Sequence, residues 1–227
     1  MAKTPMRPKF WYLKQFNLFE GITDSDLMAI ENFTIEHYLG KKELVFEPGR
    51  KLDTVYILKE GEVILYQVHE GKKIILDILK PGSFFGNISL NPNEQTTHYA
   101  EASDNIRICA LSTEAFLAVV RRYPEIVLRL LQMVTEKMRE YEDRIKSTTV
   151  LTAKEHVLEA IKIIQRNDER NFLPRILRKR TKITHEKLAS FTGLARETVT
   201  KAISELEKEG KLKVDGRKII SDAESVQ

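Results

Sequence analysis

The sequence predicts an α+β protein, in which an antiparallel β-sandwich or roll precedes a long helix and a C-terminal helix-turn-helix. Three observations lead to this fold class. Residues 37–112 consist of short apolar runs separated by Gly and Pro. Apolar residues then recur at heptad spacing from Pro124 onward. Residues 183–220 read as two short helices and a hairpin. We expect three parts: residues 1–123, 124–150 and 151–227.

The composition excludes several classes of protein. The 227 residues are 42% hydrophobic and 31% charged, as in globular domains. No apolar run approaches the roughly 20 residues of a membrane span, and the N-terminus lacks a signal-peptide core. Cys109 is the single cysteine, which excludes a disulfide framework and an all-cysteine metal or iron–sulfur cage. We expect a cytoplasmic protein with Cys109 in its core and no metal site.

The N-terminal part begins with helices and continues with strands. Residues 10–36 have near-helical apolar spacing, and the run of residues 23–26 (Thr-Asp-Ser-Asp) supplies N-cap candidates for the second helical piece. Strands are expected at the apolar runs that follow, namely residues 44–46, 55–58, 63–66, 74–79, 84–85 and 106–108. This pattern is typical of an antiparallel sandwich or roll.

The long helix carries an apolar seam. From Pro124 the apolar positions alternate by four and three residues, with charged side chains around them. A helix of about 24 residues would be about 36 Å long, too long to bury its whole seam on a short roll. We therefore predict a homodimer formed through this helix. The alternative is that the helix packs its seam against the chain's own domains. The predicted interface residues are Val127, Leu131, Val134, Met138, Tyr141 and Ile145. A hinge is expected near residues 149–152.

The C-terminal third carries the strongest functional signal. One helix is predicted over residues 183–191 with Thr184 as its cap, a tight turn at residues 192–194, and a second helix over 195–209. The Asp215-Gly216 hairpin signal follows, so the segment reads as a winged helix. An ordinary helical hairpin with a β-ribbon is the alternative.

The residue types on this segment favour DNA as the partner. Residues 151–227 hold 17 Lys and Arg against 12 Asp and Glu, an excess that suits a polyanion. Polar side chains cluster where a recognition helix reaches base edges, namely Arg196, Glu197, Thr200 and Lys201. Phosphate contacts are expected from Thr198, His185, Lys187, Lys182, Arg217 and Lys218. No catalytic motif is present, so we expect no enzyme.

Four stretches resemble the CRP/FNR (cyclic-AMP receptor protein/fumarate-nitrate regulator) superfamily of bacterial transcription factors. They are residues 46–49 (FEPG), 56–63 (YILKEGEV), 81–86 (PGSFFG) and 194–199 (LARETV). The resemblance covers about residues 12–220. It implies a cyclic-nucleotide-binding-like β-roll, a dimerisation helix, and a winged helix that reads palindromic DNA, with RNA polymerase as a further partner. Arg196, Glu197 and Lys201 match the base-reading positions. Lys201 departs from the more usual Arg and loses its bidentate fork.

The sensor site departs most from the family pattern. In the cyclic-nucleotide binders, a Phe-Gly-Glu motif holds the ribose, and an Arg-Ser/Thr-Ala run holds the phosphate. Here these positions align with Asn87 and Thr96 in place of the Glu and the Arg. Tyr141 aligns with the adenine-reading position. The pocket positions carried over are Phe85, Gly86, Asn87, Ser89, Thr96, Thr97, His98 and Tyr141.

Without the arginine, a buried cyclic phosphate loses a charge-assisted pair. We therefore expect no regulation by cyclic AMP, and either ligand independence or another effector. His98 could replace the cation only when protonated. We expect no cofactor, although haem is not excluded for the scattered histidines. The alternatives are a cyclic-nucleotide-responsive regulator and a cyclic-nucleotide-binding signalling module.

Overall fold

The computed structural model describes residues 10–14, 16–86, 94–169, 183–215 and 218–220. The described residues divide into two compact units, one that holds those up to 65 and those between 77 and 134, and another that holds 66–76, 135–169 and those from 183 onward. The helices are α1 (Phe10–Lys14), α2 (Asp24–Glu31), α3 (Thr113–Arg122), α4 (Glu125–Val150), α5 (Ala153–Glu169), α6 (His185–Thr192) and α7 (Arg196–Lys208), with a 3-10 turn at Asn17–Phe19. The strands are β1 (Ile35–Leu39), β2 (Leu44–Phe46), β3 (Thr54–Glu60), β4 (Val63–His69), β5 (Lys72–Leu79), β6 (Phe84–Gly86), β7 (Tyr99–Ala102), β8 (Ile106–Ser112), β9 (Lys213–Asp215) and β10 (Lys218–Ile220).

Eight of the strands form an antiparallel β-roll of two sheets. One sheet has the order β1-β8-β3-β6 and the other β2-β7-β4-β5. Each of the six predicted apolar runs lies in a strand, and the predicted fold class is confirmed. Two strands were not predicted, β1 and β7. The helical prediction for residues 10–36 is wrong at its end, because β1 already begins at Ile35.

Alternating side chains divide the core of the roll into two layers. Leu58 and Ile108 point into the cluster that includes residues of both sheets, whereas their strand neighbours Ile57 and Cys109 pack against the N-terminal helices. This alternation is the two-residue period of a strand buried on both faces. Cys109 is 2% exposed, in agreement with the predicted core position. Thr23 caps α2 as predicted, by accepting the backbone N–H of Asp26.

A buried ion pair joins the strands of the first sheet. Lys59 Nζ on β3 lies 2.9 Å from Glu36 Oε1 on β1, and the Lys59 side chain is 1% exposed. Arg107 on β8 adds a contact of 2.6 Å with Glu60. Burial acts to lower the pKa of Lys59, but the Cys109 thiol and the Glu36 carboxylate beside it raise that pKa, and the net shift is upward. The ammonium group is therefore held charged inside the protein.

α4 ends at Val150 and α5 begins at Ala153, so the helical structure is interrupted at residues 151–152, which belong to the segment where a hinge is predicted. The Thr152 side chain accepts the backbone N–H of Glu155, and Glu155 accepts the N–H of Thr152 at 2.8 Å. This reciprocal pair is a capping box, which fixes the start of α5. The apolar face of α5 packs against α6 and α7. In the part of the chain that the structure describes, no helix is long and apolar enough to cross a membrane.

Candidate nucleic-acid interface and sensor site

Local capping fixes both ends of α6. Thr184 accepts the N–H of Lys187 at 3.2 Å and so begins α6. Gly193 ends it with φ at +76°, and its N–H bonds to the Ala189 carbonyl at 2.9 Å. Glycine is favoured there because the left-handed conformation crowds a Cβ. The chain then turns through Leu194 and Ala195 into α7. The predicted helix-turn-helix is therefore present, with each predicted boundary within two residues.

α7 separates an apolar face from a polar one. Four of its side chains are at most 3% exposed and pack inward, namely Val199, Ala202, Ile203 and Leu206. Arg196, Glu197, Thr200 and Lys201 are exposed on the other face, and Thr198 is half-buried. These residues occupy the first two turns of the helix, where its backbone N–H groups and dipole also favour an anion. This exposed N-terminal face of α7 is called the reading face below.

A hydrogen bond between the two helices positions one edge of the reading face. Thr200 Oγ1 donates to the Arg196 carbonyl at 2.9 Å, and His185 Nδ1 lies 3.1 Å from the same hydroxyl oxygen. A hydroxyl has one proton. With that proton directed to Arg196, His185 donates from Nδ1. The sequence predicted that both residues contact DNA, but it did not predict the hydrogen bond between them. Lys187 is half-buried on α6, two residues after His185.

The predicted wing is the antiparallel pair of β9 and β10, in which Lys218 is paired with Asp215. Four predicted site residues lie outside the described residues: Lys182, Arg217, Asn87 and Ser89. The backbone of Lys218 is described, but its side chain is not.

Two sensor positions of the roll, Phe85 and His98, belong to a group of aromatic rings. Phe85 stacks on Tyr56 with ring centres 5.3 Å apart, and Phe46 lies 6.1 Å from Tyr56. The His98 ring meets Phe46 edge-on at 5.5 Å. Gly86 follows Phe85 with φ at +108°, and a Cβ there would lie 2.5 Å from the Thr54 carbonyl oxygen. The glycine is thus required by the close approach of β6 to β3.

The described residues at the family's phosphate-binding positions carry no positive charge. Thr96 closes a loop, because its hydroxyl donates to the Glu47 carbonyl at 2.7 Å. Burial lowers the pKa of His98 below its ordinary value of 6.5, so the ring is neutral at pH 7. Thr97 is exposed. These residues do not fit an anionic cyclic phosphate.

Arg50 and Tyr141 also bear on the sensor prediction. Burial raises the pKa of Tyr56, whereas a hydrogen bond with the Thr54 side chain and the positive charge of Arg50 act to lower that pKa. The Arg50 side chain is exposed, and its Nε atom lies 3.6 Å from Glu47 Oε1. Sequence reasoning missed Arg50, because it belongs to a turn far from the family's phosphate motif. Tyr141 lies on α4 in the second unit, where its ring centre is 5.9 Å from Lys137 Nζ.

The seam of α4 is exposed in the single chain. The six predicted interface residues are between 38% and 66% exposed: Val127, Leu131, Val134, Met138, Tyr141 and Ile145. Leu128, which the seam prediction omitted, is 70% exposed. Apolar side chains in this number are seldom left in water along one helix.

Known families match both parts of the chain. A cyclic nucleotide-binding domain family matches residues 36–123, and a Crp-like helix-turn-helix domain family matches residues 159–226. The cyclic AMP receptor protein of Thermus thermophilus is 26% identical over 87% of this chain and 88% of its own length. A CRP-like cAMP-activated global transcriptional regulator of Mycobacterium tuberculosis is 24% identical over 93% and 95%.

The fold agrees with these matches. The solved structure of the c-di-GMP responsive global regulator CLP of Xanthomonas campestris has a TM-score of 0.71 and 14% identity, over 87% of this chain and 99% of that one. That likeness concerns the fold alone. The β-roll matches the cyclic nucleotide-binding domain family and the helix-turn-helix matches the Crp-like family, in this order along the chain, so the protein is a CRP/FNR-like DNA-binding transcription regulator.

Proposed function

We propose that the chain is a homodimer that binds a palindromic DNA site, with one α7 in each half-site, and that it does so without cyclic AMP. The observation that carries the proposal is the reading face. Arg196, Glu197 and Lys201 are exposed together on the first two turns of α7, while its opposite face is buried. A helix that presents polar side chains at its N-terminus, on a fixed partner helix, is suited to the major groove.

The chemistry of each reading residue indicates what it recognises. Arg196 can donate two hydrogen bonds to O6 and N7 of guanine, and Glu197 can accept from N4 of cytosine. Lys201 offers a single compact cation, so its base pair is less strictly specified. Phosphate contacts are assigned to His185, Lys187, Lys182, Thr198, Arg217 and Lys218, which add affinity without sequence preference.

Dimerisation is assigned to the seam of α4. Pairing two such helices would bury the exposed apolar side chains between Val127 and Ile145. It would also give the protein the two-fold symmetry that a palindromic site requires. Sedimentation at micromolar concentration should give twice the chain mass of 26.3 kDa. A monomer at these concentrations would contradict this assignment.

Selection from randomised DNA duplexes, followed by sequencing, tests the DNA proposal directly. The purified protein should enrich one palindromic motif, equally with and without cyclic AMP. The matched control is Arg196→Ala, which should enrich a motif that has lost its preference at one position of each half-site. Enrichment only with cyclic AMP would contradict the proposed independence of this ligand. No enrichment in either arm would contradict recognition by the free protein.

The sensor site supports an effector other than cyclic AMP, or none. A cyclic phosphate needs a cation, yet Thr96 is engaged with Glu47 and His98 is neutral at pH 7, because burial lowers its pKa. The related proteins are named for different nucleotides, a cyclic AMP receptor protein and a c-di-GMP responsive regulator. The fold is thus compatible with different signals.

A second candidate is a cyclic-nucleotide-responsive regulator. The match of residues 36–123 to the cyclic nucleotide-binding family favours it, and the positive charge of Arg50, which acts on the pKa of Tyr56, offers a cation in the roll. Arg50 would then replace the cation missing at Thr96. Isothermal titration with cyclic AMP distinguishes the two candidates. Binding that Arg50→Ala abolishes and Lys41→Ala leaves intact would establish this candidate, whereas an absence of heat from the wild type would exclude it for cyclic AMP.

The remaining assignments follow from the function of a bacterial regulator. RNA polymerase is the expected protein partner, the cytoplasm is the expected location, and no catalytic activity or cofactor is expected. Promoter transcription with purified polymerase, in the presence and absence of the protein, tests the first of these and also shows whether the protein activates or represses.

A further inference from the structure

We propose that Arg144 couples the β4–β5 hairpin to the helix-turn-helix, so that a displacement of the hairpin is transmitted to α6. Its importance for DNA recognition rests on the proposed function, but the coupling itself does not. All the residues involved belong to the second compact unit.

The guanidinium group of Arg144 contacts two segments that are distant in sequence. Nη1 donates to the Leu76 carbonyl at 2.8 Å, and Nη2 donates to the carbonyls of Ile75 and Phe191. The Arg144 Cζ atom also lies 4.1 Å from the centre of the Phe191 ring. One planar group on α4 thus holds the backbone of β5 and the end of α6 together.

The acceptor on α6 explains why a cation is favourable here. Phe191 lies one residue before the end of α6, where carbonyl groups lack partners within the helix. The same end carries the negative pole of the helix dipole. Arg144 satisfies one of these carbonyls and neutralises part of the dipole. The planar fork can do this while it bonds to β5, which a lysine ammonium cannot match in geometry.

The acceptors on β5 are also main-chain groups. The contacts with Ile75 and Leu76 therefore depend on the position of the strand backbone rather than on the identity of a side chain. If β5 shifts, these hydrogen bonds either break or move the Arg144 guanidinium with the strand. Since α6 packs against both α5 and α7, a movement of α6 also moves the helix that carries the reading face.

The positive charge of Arg144 also acts on a residue of α5. Burial lowers the pKa of His156, and the Arg144 charge lowers that pKa further. The reading face itself is not covered by these contacts, because Arg196, Glu197 and Lys201 are exposed. Arg144 therefore acts as a coupling residue and not as a block on DNA binding.

Hydrogen exchange of the full-length protein tests the coupling without DNA. Gly71→Val disturbs the hairpin at its turn, where φ is +74° and no atom lies within 4 Å of an added Cβ. It should speed exchange of the α6 amides about fivefold or more, a modest coupling between sites. In the Arg144→Gln background the same substitution should leave α6 exchange unchanged. Arg139→Gln, an exposed arginine on the same helix, is the control and should preserve the response.

A general loss of stability would speed exchange in every segment, including β3 and β8, and would appear with Arg144→Gln alone. Faster α6 exchange on Gly71→Val that persists without Arg144 would overturn the proposal, as would no response of α6 in the wild type. A separate titration with the selected DNA should show that Gly71→Val weakens binding when Arg144 is present. In the Arg144→Gln background, Gly71→Val should cause no further weakening. If the wild type binds no DNA, the proposed function fails while the exchange result still decides the coupling.

Discussion

At the scale of single residues, two partly or wholly buried histidines make the protein sensitive to acid. Burial lowers the pKa of His98 and of His156 below 6.5. The unfolded chain therefore binds protons that the folded chain does not. The free energy of unfolding should thus fall as the pH drops below about 6.5.

Urea unfolding at pH 7.5 and 5.5 measures this loss. His98→Phe keeps an aromatic ring against Phe46 and removes the titrating group, so its midpoint should fall less between the two pH values than that of the wild type. His69→Gln, at an exposed position, should retain the wild-type difference. An equal fall in all three proteins would show that His98 is not held neutral by burial.

The pair Lys59–Glu36 is a second case in which burial determines the effect of a charge. Lys59→Met leaves the Glu36 carboxylate, whose side chain is 16% exposed, without its nearest cation. Removing one partner of a buried pair commonly costs about 3 kcal/mol or more. Chemical unfolding should show a loss of this size.

The matched control is Lys14→Met. Lys14 and Asp24 lie 2.8 Å apart, compared with 2.9 Å for Lys59 and Glu36, but their side chains are 55% and 53% exposed. Exposed pairs contribute about 1 kcal/mol or less, so this variant should unfold almost as the wild type does. Equal losses for the two variants would mean that the burial of Lys59 adds nothing.

At the scale of secondary-structure elements, the reading face leads to a prediction about specificity. Arg196→Ala should weaken binding to the selected site by about 1–3 kcal/mol and relax one base position. The physical reason is the loss of two hydrogen bonds to one base. Fluorescence anisotropy with the palindrome and with single-base variants measures both effects.

Lys208→Ala is the control for charge, because it removes one positive charge from the far end of the same helix. It should weaken binding to every sequence slightly and equally, as expected of an electrostatic contribution. Normal binding by Arg196→Ala, with its base preference intact, would show that the recognition helix has been assigned wrongly.

The elements also show what sequence reasoning could predict. β2, β3 and β5 were predicted because apolar runs coincide with them. β7 was missed because its buried positions are Ala100 and Ala102, whose small side chains give no strand signal. β1 was missed because it is an edge strand with mostly exposed side chains, and its apolar residues continued the helical spacing before it.

The candidate site was predictable where a pattern reflects local geometry. Thr184 and Gly193 fix the ends of α6 through caps that depend on neighbours in sequence. The contacts of Thr96 with Glu47, of His185 with Thr200 and of Arg144 with β5 join residues far apart in the chain. No local pattern in the sequence indicates these pairs, so only the folded chain reveals them.

At the scale of the whole molecule, dimerisation and DNA recognition should depend on each other. A dimer that binds both half-sites makes the second contact intramolecular, so its affinity for the palindrome should exceed its affinity for one half-site by about 100-fold or more. Half-sites one helical turn apart, about 34 Å, present the same groove to both copies of α7. Inserting five base pairs between them turns one half-site to the opposite side and should abolish this gain.

Leu131→Glu tests whether the seam of α4 supplies the gain. A carboxylate at this exposed apolar position would be buried against the second chain, and the dimer should dissociate. The monomer should keep the half-site affinity of the wild type and bind the palindrome no more than about twice as well, since two equivalent half-sites give only a statistical factor. Gln132→Glu places the same charge on the neighbouring exposed residue and should leave both affinities unchanged. If Leu131→Glu sediments as a monomer yet keeps the full gain on the palindrome, recognition does not depend on the pairing of two α4 helices.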